Sequence, residues 1–447
     1  MAPQNEERAA RLRAQANDPS FENVWQELRW RGLVHVSTDE AALEQALAGE
    51  PVSYYCGFDP TAPSLHLGHL VQLLTLRRLQ LAGHRPYALV GGATGLIGDP
   101  RQTSERVLNS QETVAAWVES LRAQIEPYLS FEGENAATMV NNLDWTAGMS
   151  ALDFLRDVGK NFRVGTMVKK EIVAKRLNSD EGISYTEFSY QVLQGNDFLE
   201  LHRRHGVTLQ TGGSDQWGNL TAGTELIRKV EGTHAHALGT PLITNADGTK
   251  FGKSEGNAVW LDAKMCSPYA FYQFWLNTAD ADVVDRLKVF TFLTRAEIEE
   301  YAQKVADEPF RREAQKRLAW EVTALAHGEE TTTKVIEASH AVFGGGDLTT
   351  VDPDTLTAVL AELPQADRTQ WEGEPGTVTA VELLVSTGLV ASRSEARRTV
   401  RDGGASVNNV RVTDADQVFT RDDALAGRHL LVRRGKKSMA GADLGEA

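Results

Sequence analysis

The apolar positions along this chain change period in a way that marks out its elements. Within residues 51–100 a short apolar run, "VSYYCGF", ends at Asp59-Pro60. After Pro63, residues Leu67, Leu70, Val71 and Leu74 and the later leucines recur at helical spacing as far as Gly83. "PYALVGG" then predicts a buried strand closed by glycines. Strand, helix and strand of these lengths form a βαβ unit, which belongs to a parallel sheet. The pattern returns at 207–230, where "VTLQTGG" predicts a strand and "SDQWGNLTAGTELIRKV" a helix. Residues 101–185, between the two units, are largely helical and predict an insertion. Residues 268–343 predict helix after helix. "GGGDLTTVDPDTLTAVLAELPQADRTQWEGEPG" then mixes glycine, proline and acids, as a linker or a loose small segment does, and a compact module follows at 378–437.

A chain of 447 residues exceeds one compact core, so this punctuation predicts several domains. The expected division is a catalytic α/β domain over 1–245 with its insertion at about 101–185, and a loop with a helical domain over 246–345. A linker over 346–377 and a small domain over 378–437 complete it. With 41% hydrophobic and 24% charged residues the composition is that of a globular protein. The polar N-terminus lacks the apolar stretch of a secretory leader, and no run approaches the roughly 18 apolar residues of a membrane span. Two cysteines, Cys56 and Cys266, are too few for a cysteine zinc site or a disulfide framework, and fit a reducing compartment. The expected location is cytoplasmic, without a membrane partner. A net charge of −15 excludes a protein that coats nucleic acid with a uniform positive field. The charge is uneven: from Val378 onward 11 Lys/Arg face 9 Asp/Glu, a net of +2 that leaves −17 on the preceding 377 residues. A mildly basic tail on an acidic body suggests a separate task for the tail.

Chemistry concentrates in a few stretches. "HLGH", His66 to His69, opens the first βα helix at the carboxyl edge of a parallel sheet, where open α/β folds bind ligands. "GTKFGKS", residues 248–254, is close to a phosphate-binding P-loop but has three residues between its glycines instead of four. Glu255-Gly256-Asn257 after it begins no helix, so its two lysines and serine suggest phosphate binding by another arrangement. "FSYQVLQGNDF" sets Tyr190, Gln194 and Asp197 on one helix face, among apolar neighbours that suit a cleft wall. "TGGSDQWGN" is a glycine-rich strand-to-helix turn. In the tail, Ser392 and Glu395 have capping-box spacing, and Arg393, Arg397 and Arg401 follow on one face beside Arg398. Such a face is often merely solvated, but in a positively shifted segment it reads as an RNA-backbone contact.

His-x-Gly-His paired with a distant Lys-x-x-Lys-Ser resembles the class I aminoacyl-tRNA synthetases. "YYCGFDPTAPSLHLGHL", "VGGATGLIGDP", "SYQVLQGNDFL", "TGGSDQWGN" and "DGTKFGKS" extend the resemblance to the bacterial tyrosyl-tRNA synthetases, over residues 20–437. The resemblance implies a Rossmann-like parallel-sheet catalytic domain with a helical insertion, an all-helical domain and a small α+β tail like the S4 RNA-binding domain. It implies activation of L-tyrosine by ATP with Mg2+, for which no dedicated carboxylate cage is evident, followed by transfer to tRNA(Tyr). For tyrosine it implies Tyr190, Gln194 and Asp99 at the α-ammonium, Tyr55 and Asp197 at the phenol, Gln216 near the carboxylate, and Asp59 in the same site. For ATP it implies Gly57, His66, Gly68, His69, Gly213, Asp215 at the ribose, Lys253 and Ser254. The catalytic groups are then Thr61, His66 and His69 at the triphosphate, with Lys250 and Lys253 of the mobile KMSKS-type loop closing over pyrophosphate. A homodimer built on the 101–185 insertion is implied, each tRNA bridging two subunits. Relatives often carry lysines after "GDP", where this chain has Arg101-Gln102-Thr103, leaving Arg101 and Arg106 as substitutes. Two other readings are a tryptophanyl-type synthetase and an RNA-binding relative without catalysis. Tyr55, Asp99 and Asp197 argue against the first, and intact His66, His69, Lys250 and Lys253 against the second.

Overall fold

A computed structural model describes residues 3–100, 106–246, 248–249, 251–254, 257–372, 374, 376–435 and 438–445. The chain divides into two compact units, Met1–Met265 with Asn277–Leu318, and Cys266–Leu276 with Ala319–Ala447. The long helical run is therefore shared between them.

The first unit is built on a six-stranded sheet: β1 (Val36–Ser37), β2 (Ser53–Phe58), β3 (Arg85–Val90), β4 (Thr138–Asn141), β5 (Leu209–Gly213) and β6 (His236–Thr240). Their order is β1-β6-β5-β2-β3-β4, with β1 antiparallel and the other pairs parallel. From β2 the chain runs through helix Leu67–Leu81 to β3, and from β5 through helix Trp217–Glu231 to β6. The winding thus reverses between β2 and β5, and the crevice beyond their carboxyl ends is the ligand-binding position of an open α/β sheet. Helix Leu67–Leu81 buries Leu70, Leu73, Leu74, Leu76 and Leu79, leaving no broad polar face, as an interior helix must. Its buried Arg78 donates to the carbonyl of Thr291 at 2.6 Å. Arg31, ion-paired to Glu27 at 2.8 Å, donates to the carbonyls of Lys288, Thr291 and Leu293. The two guanidiniums together cap the carboxyl end of helix Asp280–Phe290.

The 101–185 segment is not wholly an insertion, because β4 lies within it as the parallel edge strand. Four residues with only Val140 buried give too short a pattern to reveal a strand. Beyond β4, Leu152, Leu155, Val164, Leu177 and Tyr185 are 77%, 52%, 62%, 48% and 68% exposed.

In the second unit, residues 346–377 hold helix Pro353–Ala361, with Leu356, Val359 and Leu360 buried. Asp352 caps it and Pro353 opens it, a start signal masked by the surrounding acids and glycines. Trp371 donates to Ser386 Oγ at 2.9 Å, so this stretch is packed and not loose. The tail places helices Ala380–Ser386 and Arg393–Arg401 with a four-stranded antiparallel sheet around Leu383, Val400, Leu430 and Val432. No described helix is long and apolar enough to cross a membrane.

Candidate active site

At the mouth of the crevice two histidines cap one helix. His66 Nδ1 accepts the N–H of Gly68 at 3.0 Å, and His69 Nδ1 accepts the N–H of His66 at 3.1 Å. The rings stack with centroids 3.9 Å apart. Burial lowers the pKa of His66, and burial with the neighbouring His66 holds His69 well below the ordinary range. Both imidazoles are therefore neutral near pH 7. Since each accepts on Nδ1, its proton resides on Nε2, which leaves two N–H donors beside the positive helix end. A Cβ at Gly68 would lie 2.9 Å from His66 Cε1, so glycine is what admits the capping ring.

The GTKFGKS stretch is tied to this cap. Leu67 N–H donates to Val259 O at 3.2 Å, Leu261 N–H to Leu65 O at 2.8 Å, and Val259 N–H to Gly252 O at 2.9 Å. Lys253–Ser254 pairs with Asn257–Ala258 as a short antiparallel hairpin. Helix Asp280–Phe290 holds the other side: Arg286 donates to Thr244 O at 2.7 Å, and Asp282 accepts Ala246 N–H at 2.9 Å. Phe251 packs 5.5 Å from Phe290, with the Arg286 guanidinium 4.5 Å over its ring. Lys250 and Arg101 lie outside the described residues, and for Lys253 and Ser254 only the backbone is placed. Thr61 is exposed in the turn after β2, its N–H bonded to Asp59 O at 2.9 Å. Gly57 is exposed on β2, and a Cβ there would meet nothing closer than Leu89 at 3.8 Å. Packing alone does not demand glycine there, so the bare backbone leaves room for a ligand.

Deeper in the crevice lie three carboxyls, Asp197 buried and Asp59 and Asp99 half-buried. Asp197, on helix Tyr185–His205, accepts from Trp145 Nε1 at 2.8 Å and Asn142 Nδ2 at 3.0 Å. Burial pushes it up to about 7 despite those two donors. Beside it the Tyr55 hydroxyl is fully buried and has no hydrogen-bond partner among the described residues, and its ring packs 5.2 Å from Phe198. An orphaned buried hydroxyl next to a carboxylate costs stability until a ligand satisfies it. Asp59 accepts from Tyr190 and Thr94, each at 2.6 Å. Asp99 accepts from Gln216 and Asn219, each at 3.2 Å, and burial raises it to about 6. Gln194 is half-buried on the same helix as Tyr190, its amide unpartnered among the described residues. Asp215 is exposed at the end of β5, where a Cβ on Gly213 would come within 2.5 Å of its carboxylate.

This arrangement offers neutral donors at a helix end, an anchored lysine-bearing loop and an acidic, partly unsatisfied pocket, on a sheet wound for nucleotide binding. Residues 47–344 match the family described as tRNA synthetases class I (W and Y). The chain belongs to this family. Residues 359–440 match the C-terminal domain of tyrosine–tRNA ligases. The chain is 68% identical to the tyrosine–tRNA ligase of Leifsonia xyli over 96% of both chains. It is 61% identical to that of Streptomyces avermitilis, over 94% of this chain and 99% of that one. Among solved structures, a truncated Coccidioides posadasii mitochondrial tyrosyl-tRNA synthetase matches with a TM-score of 0.63 and 30% identity, covering 75% of this chain and 94% of that one.

The tail helix Arg393–Arg401 carries the four arginines named from the sequence. Ser392 caps the helix as expected, but the box is half formed: the Glu395 carboxylate turns to Ala391 N–H and Arg434 instead of the Ser392 N–H. Arg393 pairs with Glu372, Arg397 with Asp416 and Arg401 with Asp402, while Arg398 has no ion pair among the described residues. These pairs are exposed and screened by solvent, so a phosphate can displace the carboxylate. Arg106 approaches the pocket by donating to the Asp99 carbonyl at 2.6 Å. Lys170 donates to the Gly218 carbonyl, and burial lowers its pKa to about 8. Sequence reasoning missed Thr94, Asn142, Trp145, Asn219 and Lys170. Thr94 and Asn219 lay inside the quoted glycine-bearing stretches "VGGATGLIGDP" and "TGGSDQWGN", and the other three had no such signal.

Proposed function

We propose that this chain joins L-tyrosine to tRNA(Tyr) with ATP in two steps, through the residues of the crevice. The observation that carries this reading is Tyr55 beside Asp197, a partnerless hydroxyl and a carboxylate buried together. A phenol donates to the carboxylate and accepts from the hydroxyl, whereas phenylalanine can do neither and an indole N–H, a donor only, has no acceptor for the Tyr55 hydroxyl. The identity to tyrosine–tRNA ligases over nearly the whole chain supports the same substrate. Asp99, Tyr190 and Gln194 receive the α-ammonium, and the Tyr190 hydroxyl, whose proton goes to Asp59, keeps its lone pairs for it. Gln216 lies near the carboxylate, and Asp215 at the ribose.

The tyrosine carboxylate attacks the α-phosphorus in line and pyrophosphate leaves. No protein nucleophile takes part; the chain supplies alignment and charge stabilisation. The Nε2–H groups of His66 and His69, with Thr61, donate to the triphosphate, and Lys250 and Lys253 neutralise the departing pyrophosphate. Mg2+ would enter with the nucleotide as part of the substrate and would supply charge neutralisation. A ribose hydroxyl of the terminal adenosine of tRNA then attacks the carbonyl carbon of the mixed anhydride, forming the tyrosyl ester and releasing AMP. The exposed apolar side chains between Leu152 and Tyr185 form a homodimer interface, the tail arginines position RNA phosphates, and the protein works in the cytoplasm.

ATP–pyrophosphate exchange with tyrosine, phenylalanine and tryptophan tests the assignment. Exchange is expected with tyrosine alone, and Asp197→Ala should lower it about 10- to 100-fold, the loss of a charge-assisted hydrogen bond. Exchange with none of the three would overturn the reading.

A further inference from the structure

We propose that Thr94 is a positioning residue that joins the two ends of the tyrosine site, so that ammonium and phenol are read as one unit. The inference rests on the tyrosine-activating reading above. Asp59, at the ammonium end, accepts from Tyr190 on Oδ2 and from Thr94 on Oδ1, each at 2.6 Å. Asn142 donates to Thr94 Oγ1 at 3.0 Å and to Asp197 Oδ2, at the phenol end, also at 3.0 Å. Its own Oδ1 accepts the N–H of Ala93 at 2.7 Å, which fixes the amide's orientation. Thr94 and Asn142 are buried, so water does not compete for these bonds.

The proton directions have one solution. The Asn142 amide gives one proton to Thr94 and one to Asp197. Thr94, already accepting, must place its only proton on Asp59, which can then only accept there. The chain Asp59–Thr94–Asn142–Asp197 is satisfied when both carboxyls are ionised, the state that a cationic ammonium and a donating phenol require. The fold makes room for it: a Cβ on Gly91 would lie 2.1 Å from Asp59 Oδ1 and 2.3 Å from Thr94 Oγ1. The first glycine of "VGGATG" is therefore set by this hydrogen bond.

The other groups acting on Asp59 are Tyr190, which donates to it, Arg106, which favours its charge, and Asp99 and Asp197, which share the pocket with like charge. Burial raises Asp59, while Thr94 and Tyr190 hold it down. Losing the Thr94 hydroxyl should therefore raise Asp59 further and free one side of Asn142.

The test is tyrosine-dependent pyrophosphate exchange between pH 6 and 9 for the wild type, Thr94→Val, Thr94→Ala and Thr94→Ser. Valine and alanine should raise KM for tyrosine about tenfold, with kcat within about threefold. They should also move the acid limb of kcat/KM upward by about one pH unit and weaken discrimination against phenylalanine several-fold. Serine should restore all three. Two substitutions of different volume separate the hydroxyl from packing, since a purely structural role lowers thermal stability without moving the acid limb. An unchanged acid limb and KM in both variants, or a serine variant as impaired as valine, would overturn the inference. A wild type inert with tyrosine would instead remove the ligase reading and this inference with it.

Discussion

His66 and His69 act as structure and chemistry through different nitrogens. Nδ1 of each serves the helix cap, and Nε2 of each remains to serve a ligand. His66→Asn should therefore retain a good capping acceptor while withdrawing the outer donor. Folding stability should change by less than about 0.5 kcal/mol, whereas the rate of tyrosyl-adenylate formation falls about 100-fold. Stopped-flow activation with thermal denaturation separates the two effects. The carboxyls give a second expectation at this scale. Burial raises Asp99 to about 6 and Asp197 to about 7, so the empty pocket is partly protonated below neutrality. Tyrosine favours both groups ionised, so binding must release protons below about pH 7 and release none well above it. Affinity should weaken as pH falls from 8 to 6. Calorimetry in buffers of different ionisation enthalpy should show proton release at pH 6 that vanishes at pH 8.5, and proton uptake at pH 6 would contradict the assignment.

Among the elements, helix Arg393–Arg401 has three of its candidate arginines in ion pairs and Arg398 in none among the described residues. Each phosphate contact contributes about one to the salt slope of binding. Arg398→Ala should weaken tRNA binding and reduce that slope by about 1. Arg397→Ala should do less, because forming its phosphate contact means leaving the paired Asp416. Filter binding across salt concentrations measures both. Elements with strong local signals were legible in the sequence. The helix beginning at Leu67 and the strand ending at Gly213 stand where periodicity and glycine put them. Strand β4 was not, because an edge strand with one buried side chain has no readable alternation. Helix Pro353–Ala361 had its Asp-Pro start, but the linker-like composition outweighed it. In the crevice, residues within compact motifs could be named in advance. Asn142 and Trp145 reach Asp197 across 55 and 52 residues of sequence, which no local pattern encodes.

For the molecule as a whole, long-range charge repels RNA and local features must attract it. The chain carries −15 overall with a positive tail, so tRNA binding should depend on that tail and fall steeply with added salt. The proposed homodimer rests on a second surface. Leu152, Leu155, Val164, Leu177 and Tyr185 are all exposed within one 34-residue stretch of the first unit. A two-fold interface counts each substitution twice, since the same patch contributes from both subunits. An aspartate at its centre buries two charges without partners, at a cost of several kcal/mol. Sedimentation equilibrium should give twice 49.0 kDa for the wild type and 49.0 kDa for Leu155→Asp combined with Tyr185→Asp. If each tRNA bridges two subunits, tRNA charging should be lost with the dimer and should return in proportion as wild-type subunits re-form it. A wild type that sediments at 49.0 kDa and charges tRNA would leave the apolar stretch to some other role and make each subunit a complete enzyme.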